Sequence, residues 1–222
     1  MKMITRLATA AMLAVLFNSS TLEAQTGGRN PFSWYLGGSG GVMLFETPTQ
    51  ERGGIPMAGG NMLITAKRTA LLLSIEEGFG SDETTAYIDP SAPGGQRAVT
   101  FNDLRKYSAV LLAYPLKSAA QPFIGIGAGI LHVVNPQPIG TFATPDEQAN
   151  ARSTALDLGS TGFASLVAGL QLQVGSFAIY GMYQITTSPT RGKLLEGPTH
   201  SLSAGLRLSL GGAKEGITGG GY

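Results

Sequence analysis

The sequence has 222 residues, enough for one domain, with 32 glycines, 43% apolar residues and only 13% charged ones, against about 25% charged in an average soluble domain. It contains no cysteine, which excludes a disulfide framework, a thiolate metal site, a cysteine nucleophile and the acceptor cysteine of a bacterial lipoprotein. A formal net charge of +1 without a basic stripe excludes the electrostatic footprint of a nucleic-acid binder.

The chain opens on a targeting pattern: Lys2 and Arg6, then the apolar Leu7–Phe17, then the small and polar Asn18–Ala24. The apolar run is too short to span a bilayer, so 1–24 is expected to be a cleaved secretory signal peptide. Without Lys2, Arg6 and Glu23, the remaining acids and bases balance. Residues 25–210 are expected to form one barrel domain. The glycine-rich 211–222 (GGAKEGITGGGY) is expected to be a flexible tail.

Eight strands are predicted in chain order. Ser33–Glu46, Met57–Ala66, Thr69–Gly80 and Phe101–Tyr114 alternate imperfectly, the fourth least cleanly of all. The fifth, Phe123–Val134, sets Ile124, Ile126, Ala128 and Ile130 against Gly125, Gly127 and Gly129. The sixth sets Ala164, Leu166, Ala168, Leu170, Leu172 and Val174 against Ser165, Gly169, Gln171 and Gln173. In the seventh, Phe177, Ile179, Tyr183 and Ile185 oppose Ser176, Ala178, Gln184 and Thr186. The eighth is clearest: His200, Leu202, Ala204, Leu206, Leu208 and Leu210 on one face, Ser201, Ser203, Gly205, Arg207 and Ser209 on the other. Period-two segregation of this kind is a strand pattern, because a helix would mix the two sets.

Short turns are expected at Lys67–Arg68, Pro115–Ala120 and Gly175–Ser176, and long connections at Thr47–Pro56, Ser81–Thr100, Asn135–Leu158 and Ser188–Pro198. Alternating short and long connections predict short periplasmic turns, long extracellular loops and both termini in the periplasm. Aromatics cluster at strand ends, Trp34, Tyr114, Phe123 and Phe177 at one and Phe45, Phe79, Phe101 and Tyr183 at the other, as two interfacial belts would require. The expected fold class is all-β: a closed antiparallel eight-stranded up-and-down transmembrane β-barrel.

The segments KYSAVLLAYP (106–115), QPFIGIGAGILH (121–132) and SLSAGLRLSL (201–210) make the chain resemble small eight-stranded outer-membrane barrels of the OmpA/OmpX and OmpW type, from about Pro31 to Leu210. That resemblance implies residence in the cell outer membrane among its lipids, periplasmic chaperones during export and insertion by the barrel-assembly machinery. Such barrels commonly close their last strand on an aromatic residue; here the strand reaches Leu210 and the tail follows.

No catalytic, cofactor or metal site is expected. His132 and His200 lie near loop ends, but lipid A deacylases, which this chain resembles in size, carry a serine two residues after the histidine; here Val134 and Leu202 stand there. Gly37–Gly41 and Gly125–Gly129 are not followed by a helix pattern, so a phosphate cradle is disfavoured. Asp82, Glu83, Asp89, Asp146, Glu147 and Asp157 match no calcium-loop spacing and read as solvated loop charge. The parity of Arg207 points it into the lumen, where it is expected to be held by Gln171, Gln173 or another inward polar group near the periplasmic end, with Glu76 meeting Arg105 nearer the outer end. These five residues are expected to form a polar plug. The expected role is non-enzymatic, structural or loop-mediated binding of an unidentified ligand. A narrow conduit or pocket for hydrophobic solutes, a lipid-modifying enzyme and a soluble lipocalin-like barrel stand as alternatives.

Overall fold

A computed structural model describes residues 32–116, 119–187 and 192–212. The expected signal peptide and the tail beyond 212 lie outside the described residues. Among the described residues eleven strands and one helix follow in order: β1 (Phe32–Thr47), β2 (Gln50–Ala66), β3 (Thr69–Gly78), β4 (Glu83–Ile88), β5 (Gln96–Phe101), β6 (Asp103–Ala113), β7 (Ala120–Val134), β8 (Gln137–Pro138), α1 (Pro145–Leu158), β9 (Ser160–Val174), β10 (Phe177–Thr186) and β11 (Glu196–Gly212). Eight of them close into an antiparallel barrel in the order β1-β2-β3-β6-β7-β9-β10-β11, with β11 returning to β1. The up-and-down barrel expected from the alternation is the one observed.

Side-chain parity sorts the barrel cleanly. On β11, Leu202, Leu206, Leu208 and Leu210 lie on the exterior while Ser201, Ser203 and Arg207 are buried. Ile124, Ile126 and Ile130 on β7 are likewise exterior. β6 alternates least cleanly because its inner face changes character along its length. Leu104 sits at one end, Lys106 and Ser108 in the middle, and Val110 and Leu112 at the other end, all buried.

Two sequence expectations need correction. The first outer connection is not a loop over Thr47–Pro56, because β1 and β2 stay paired up to a turn at Pro48–Thr49. Met43, Phe45, Ile55 and Met57 from the two strands bury together there, so packing overrides Gly53, Gly54 and Pro56. The aromatic belts are also only half present. Trp34, Phe177, Phe79 and Tyr183 are exterior, but Tyr114, Phe123, Phe45 and Phe101 sit on the inner parity and are buried.

Glycine marks where strands press together. A Cβ on Gly41 would stand 2.1 Å from the Leu202 carbonyl oxygen, whereas one on Gly181 would meet nothing within 4 Å. Gly41→Ala is therefore expected to destabilise by ~1–3 kcal/mol through overpacking, and Gly181→Ala by less than ~0.5 kcal/mol. Urea unfolding in detergent micelles checks the pair, and equal costs would refute the reading.

Candidate functional site

The lumen is filled in three layers. At the short-turn end Leu63, Leu72, Leu112, Tyr114, Phe123 and Val167 form an apolar floor. Above it lies a polar band. Arg207 donates from Nε to Asn61 Oδ1 at 2.8 Å and from Nη1 to Gln171 Oε1 at 2.9 Å, with its guanidinium 3.6 Å from the centre of the Tyr180 ring. Asn61 Nδ2 donates to the Tyr180 hydroxyl at 2.7 Å, and the Ser74 and Ser108 hydroxyls meet at 2.7 Å.

One step nearer the loops, Lys106 Nζ donates to Gln184 Oε1 at 2.8 Å and to Ser201 Oγ at 2.9 Å. It also forms an ion pair with Glu76, whose Oε2 lies 2.9 Å away. At the loop end a second apolar layer closes the barrel, in which Phe45, Tyr87, Phe101, Phe163, Leu194 and Leu195 pack together.

The polar residues singled out from the sequence are only partly brought together. Arg207 and Gln171 meet inside. Gln173 does not reach them; its Nε2 donates to the Gly175 carbonyl at 2.9 Å in the turn. The expected Glu76–Arg105 pair does not form. Register sets Glu76 opposite Lys106 and Glu77 opposite Arg105, so Arg105 bonds Glu77 on the exterior, at 2.9 and 3.1 Å. Lys106, Gln184 and Ser201 were missed. Lys106 was findable from parity, being one residue from Arg105 and on the other face.

The outer connections build a cap. β4 and β5 form a hairpin that adds β8 as a third strand, and α1 lies in the following connection. α1 was missed although Thr144–Pro145–Asp146–Glu147 carries a start signal: cap hydroxyl, proline in the first turn, acid three residues on. Thr144 Oγ1 accepts from Glu147 N at 3.1 Å, and Glu147 Oε2 accepts from Ala143 N at 2.7 Å.

Further bonds tie the connections to one another. Thr49 Oγ1 donates to the Thr84 carbonyl, Thr85 Oγ1 to Leu194, and Tyr87 to Ala151, at 2.7, 3.3 and 3.2 Å. Arg97, 2% exposed, is the clasp: it bonds Asp89 Oδ2 at 2.5 Å and Glu147 Oε1 at 2.6 Å and lies 4.4 Å from the centre of the Phe142 ring.

Asp89 accepts from the Ser91 hydroxyl at 2.6 Å as well as from Arg97, and these contacts hold its carboxyl down to about 2. A carboxyl depressed on folding stabilises above its unfolded value of ~3.9, and the contribution is lost as pH falls through the folded one. The cap is therefore expected to stay closed from neutral pH to about 4 and to loosen between ~4 and ~2. Carbon-13 titration of Asp89 with pepsin digestion checks this; an Asp89 midpoint near 4 would contradict it.

On the exterior, register places Glu77, Arg105, His132 and Ser160 side by side across β3, β6, β7 and β9. His132 Nδ1 and Ser160 Oγ are 2.7 Å apart, and the Tyr183 hydroxyl meets His200 Nδ1 at 2.5 Å. Strand pairing thus brings a serine to His132 that no spacing in the sequence announced. A hydrolytic triad also needs a carboxylate on the other ring nitrogen, and among the described residues His132 has no such bond.

From Arg105 to Ala113 runs about 27 Å of strand at ~3.4 Å per residue. A tilt of ~40° reduces that to ~21 Å, near the ~25 Å apolar band of a membrane barrel. Between those levels the exterior of β3, β6, β7 and β9 is Leu, Ile, Ala and Gly, apart from Tyr107. A groove of about 590 Å³ with Leu36, Met62, Ile75, Tyr107 and Ile130 in its walls lies on this outer surface.

Among solved structures the fold is similar to Neisserial surface protein A, with a TM-score of 0.52 and 9% identity over 79% of this chain and 96% of that one. The N-terminal β-barrel domain of Pseudomonas aeruginosa OprF aligns with a TM-score of 0.43 and 11% identity over 79% of this chain and 96% of that chain. No family model matches the sequence, and no curated protein matches it. The fold is that of the small eight-stranded barrels.

Proposed function

We propose that the chain is a non-enzymatic outer-membrane barrel with a closed lumen, which holds a four-connection cap at the cell surface. The observation that carries this reading is the inverted burial pattern. Isoleucine and leucine face outward in a belt while Lys106, Glu76, Arg207 and Gln184 are buried inside. In water such an exterior would be an apolar patch far beyond what soluble monomers expose; in lipid it is the favoured face. The fold likeness to a neisserial surface protein supports the same residence. Export through periplasmic chaperones and insertion by the barrel-assembly machinery follow from it. Surface connections on a rigid scaffold are where binding groups usually reside, and the clasped cap is the surface this protein would present.

A solute conduit finds less support. The inward Gly125, Gly127 and Gly129 face Leu112, Val110 and Phe163 so closely that an added Cβ would fall within 3 Å of each neighbour. The room those glycines leave is already filled. Purified protein in planar bilayers is expected to give no stable conductance, and liposomes carrying it no solute uptake. A reproducible ohmic channel in the native chain would overturn the closed-lumen reading.

A further inference from the structure

Four charged side chains are buried among the described residues: Glu76, Arg97, Lys106 and Arg207. Lys106 has Glu76, and Arg97 has Asp89 and Glu147. Arg207, 1% exposed, has only the neutral oxygens of Asn61 and Gln171 and the face of Tyr180. Amide oxygens orient a guanidinium but do not neutralise it, and a buried charge without an opposite charge is costly. The Arg207 stem packs closely over Gly37, where an added Cβ would stand 2.7 Å from Arg207 Cγ.

Two buried donors, one of them on this cation, lack acceptors. Arg207 Nη2 is buried without a hydrogen-bond partner, and so is the hydroxyl of Tyr114, 8% exposed. Tyr114 belongs to the same buried cluster as Tyr180, whose ring carries the Arg207 guanidinium on its face. A cation, a free guanidinium N–H, a free phenol O–H and no carboxylate make a site with the chemistry of an anion receptor. The interior of an eight-stranded barrel leaves no space for a bulky ligand.

We propose that Arg207 and Tyr114 hold a small inorganic monoanion of halide size within the short-turn half of the lumen. Bound there, the anion cancels the one buried positive charge that no carboxylate meets among the described residues, and accepts from both orphan donors. It is a structural ion, taken up as the barrel closes.

Refolded full-length barrel in detergent, unfolded thermally in sodium chloride and in sodium gluconate of equal ionic strength, tests the proposal. Chloride is expected to raise the midpoint progressively with concentration while gluconate does not, since only ligands that bind the folded state shift it. Arg207→Met should abolish the difference and Tyr114→Phe should reduce it. Crystals grown from protein refolded in bromide should show anomalous scattering between the two side chains. Equal midpoints in the two salts for the native chain, or a site with no bromine signal, would overturn the proposal. The native salt series and Tyr114→Phe give an answer even if Arg207→Met does not fold.

Discussion

Replacing Lys106 by methionine is expected to cost about 3–5 kcal/mol, the usual consequence of removing one partner from a buried ion pair. Glu76, 1% exposed, would keep its carboxylate with no cation, and Gln184 Oε1 and Ser201 Oγ would each lose a donor. The double variant Glu76→Gln with Lys106→Met should recover part of that loss, because the two residues act as one unit and their effects do not add. Urea titration of folded barrel in micelles reads both. A single variant within ~0.5 kcal/mol of the native chain would show that the central pair contributes no stability.

The second large effect is on the exterior. Ile126 is 64% exposed and lies between Leu111 and Leu166 in the middle of the outer belt. If lipid covers that wall, Ile126→Arg is expected to cost ~2–4 kcal/mol, as cations do near a bilayer midplane. Were the wall in water, so exposed a change would fall within ~0.5 kcal/mol. Ile88→Arg is the control: Ile88 is 80% exposed at the end of β4, in the cap, and should tolerate arginine in either case. Refolding yield and unfolding midpoint in lipid vesicles separate the outcomes, and a neutral Ile126→Arg would argue against a membrane.

Barrel strands were legible because alternation acts on every residue: Leu202, Leu206 and Leu208 could share only one face with His200. Partners across strands were not legible. Setting Glu76 beside Lys106 rather than Arg105 depends on a one-residue choice of register, and such a shift exchanges the two faces. A separate register, between β7 and β9, brings Ser160 to His132. Aromatics at strand ends were correctly located along the strands, yet Tyr114, Phe123, Phe45 and Phe101 have the inner parity, where they seal the ends instead of anchoring them. α1 escaped notice because only Ala151 and Ala155 on it are buried. Two alanines leave almost no periodic signal, so the helix was announced only by its first turn, Thr144 to Glu147.

Heat-modifiability of the native protein in fractionated membranes tests the central claim most directly. The account predicts a chain in the outer-membrane fraction that migrates as a compact band in SDS without boiling and shifts once boiled. Such a barrel unfolds only when its closed hydrogen-bonded wall is broken. A chain in the soluble fraction with one mobility before and after boiling would contradict it, because the leucine and isoleucine exterior would then have no lipid to face.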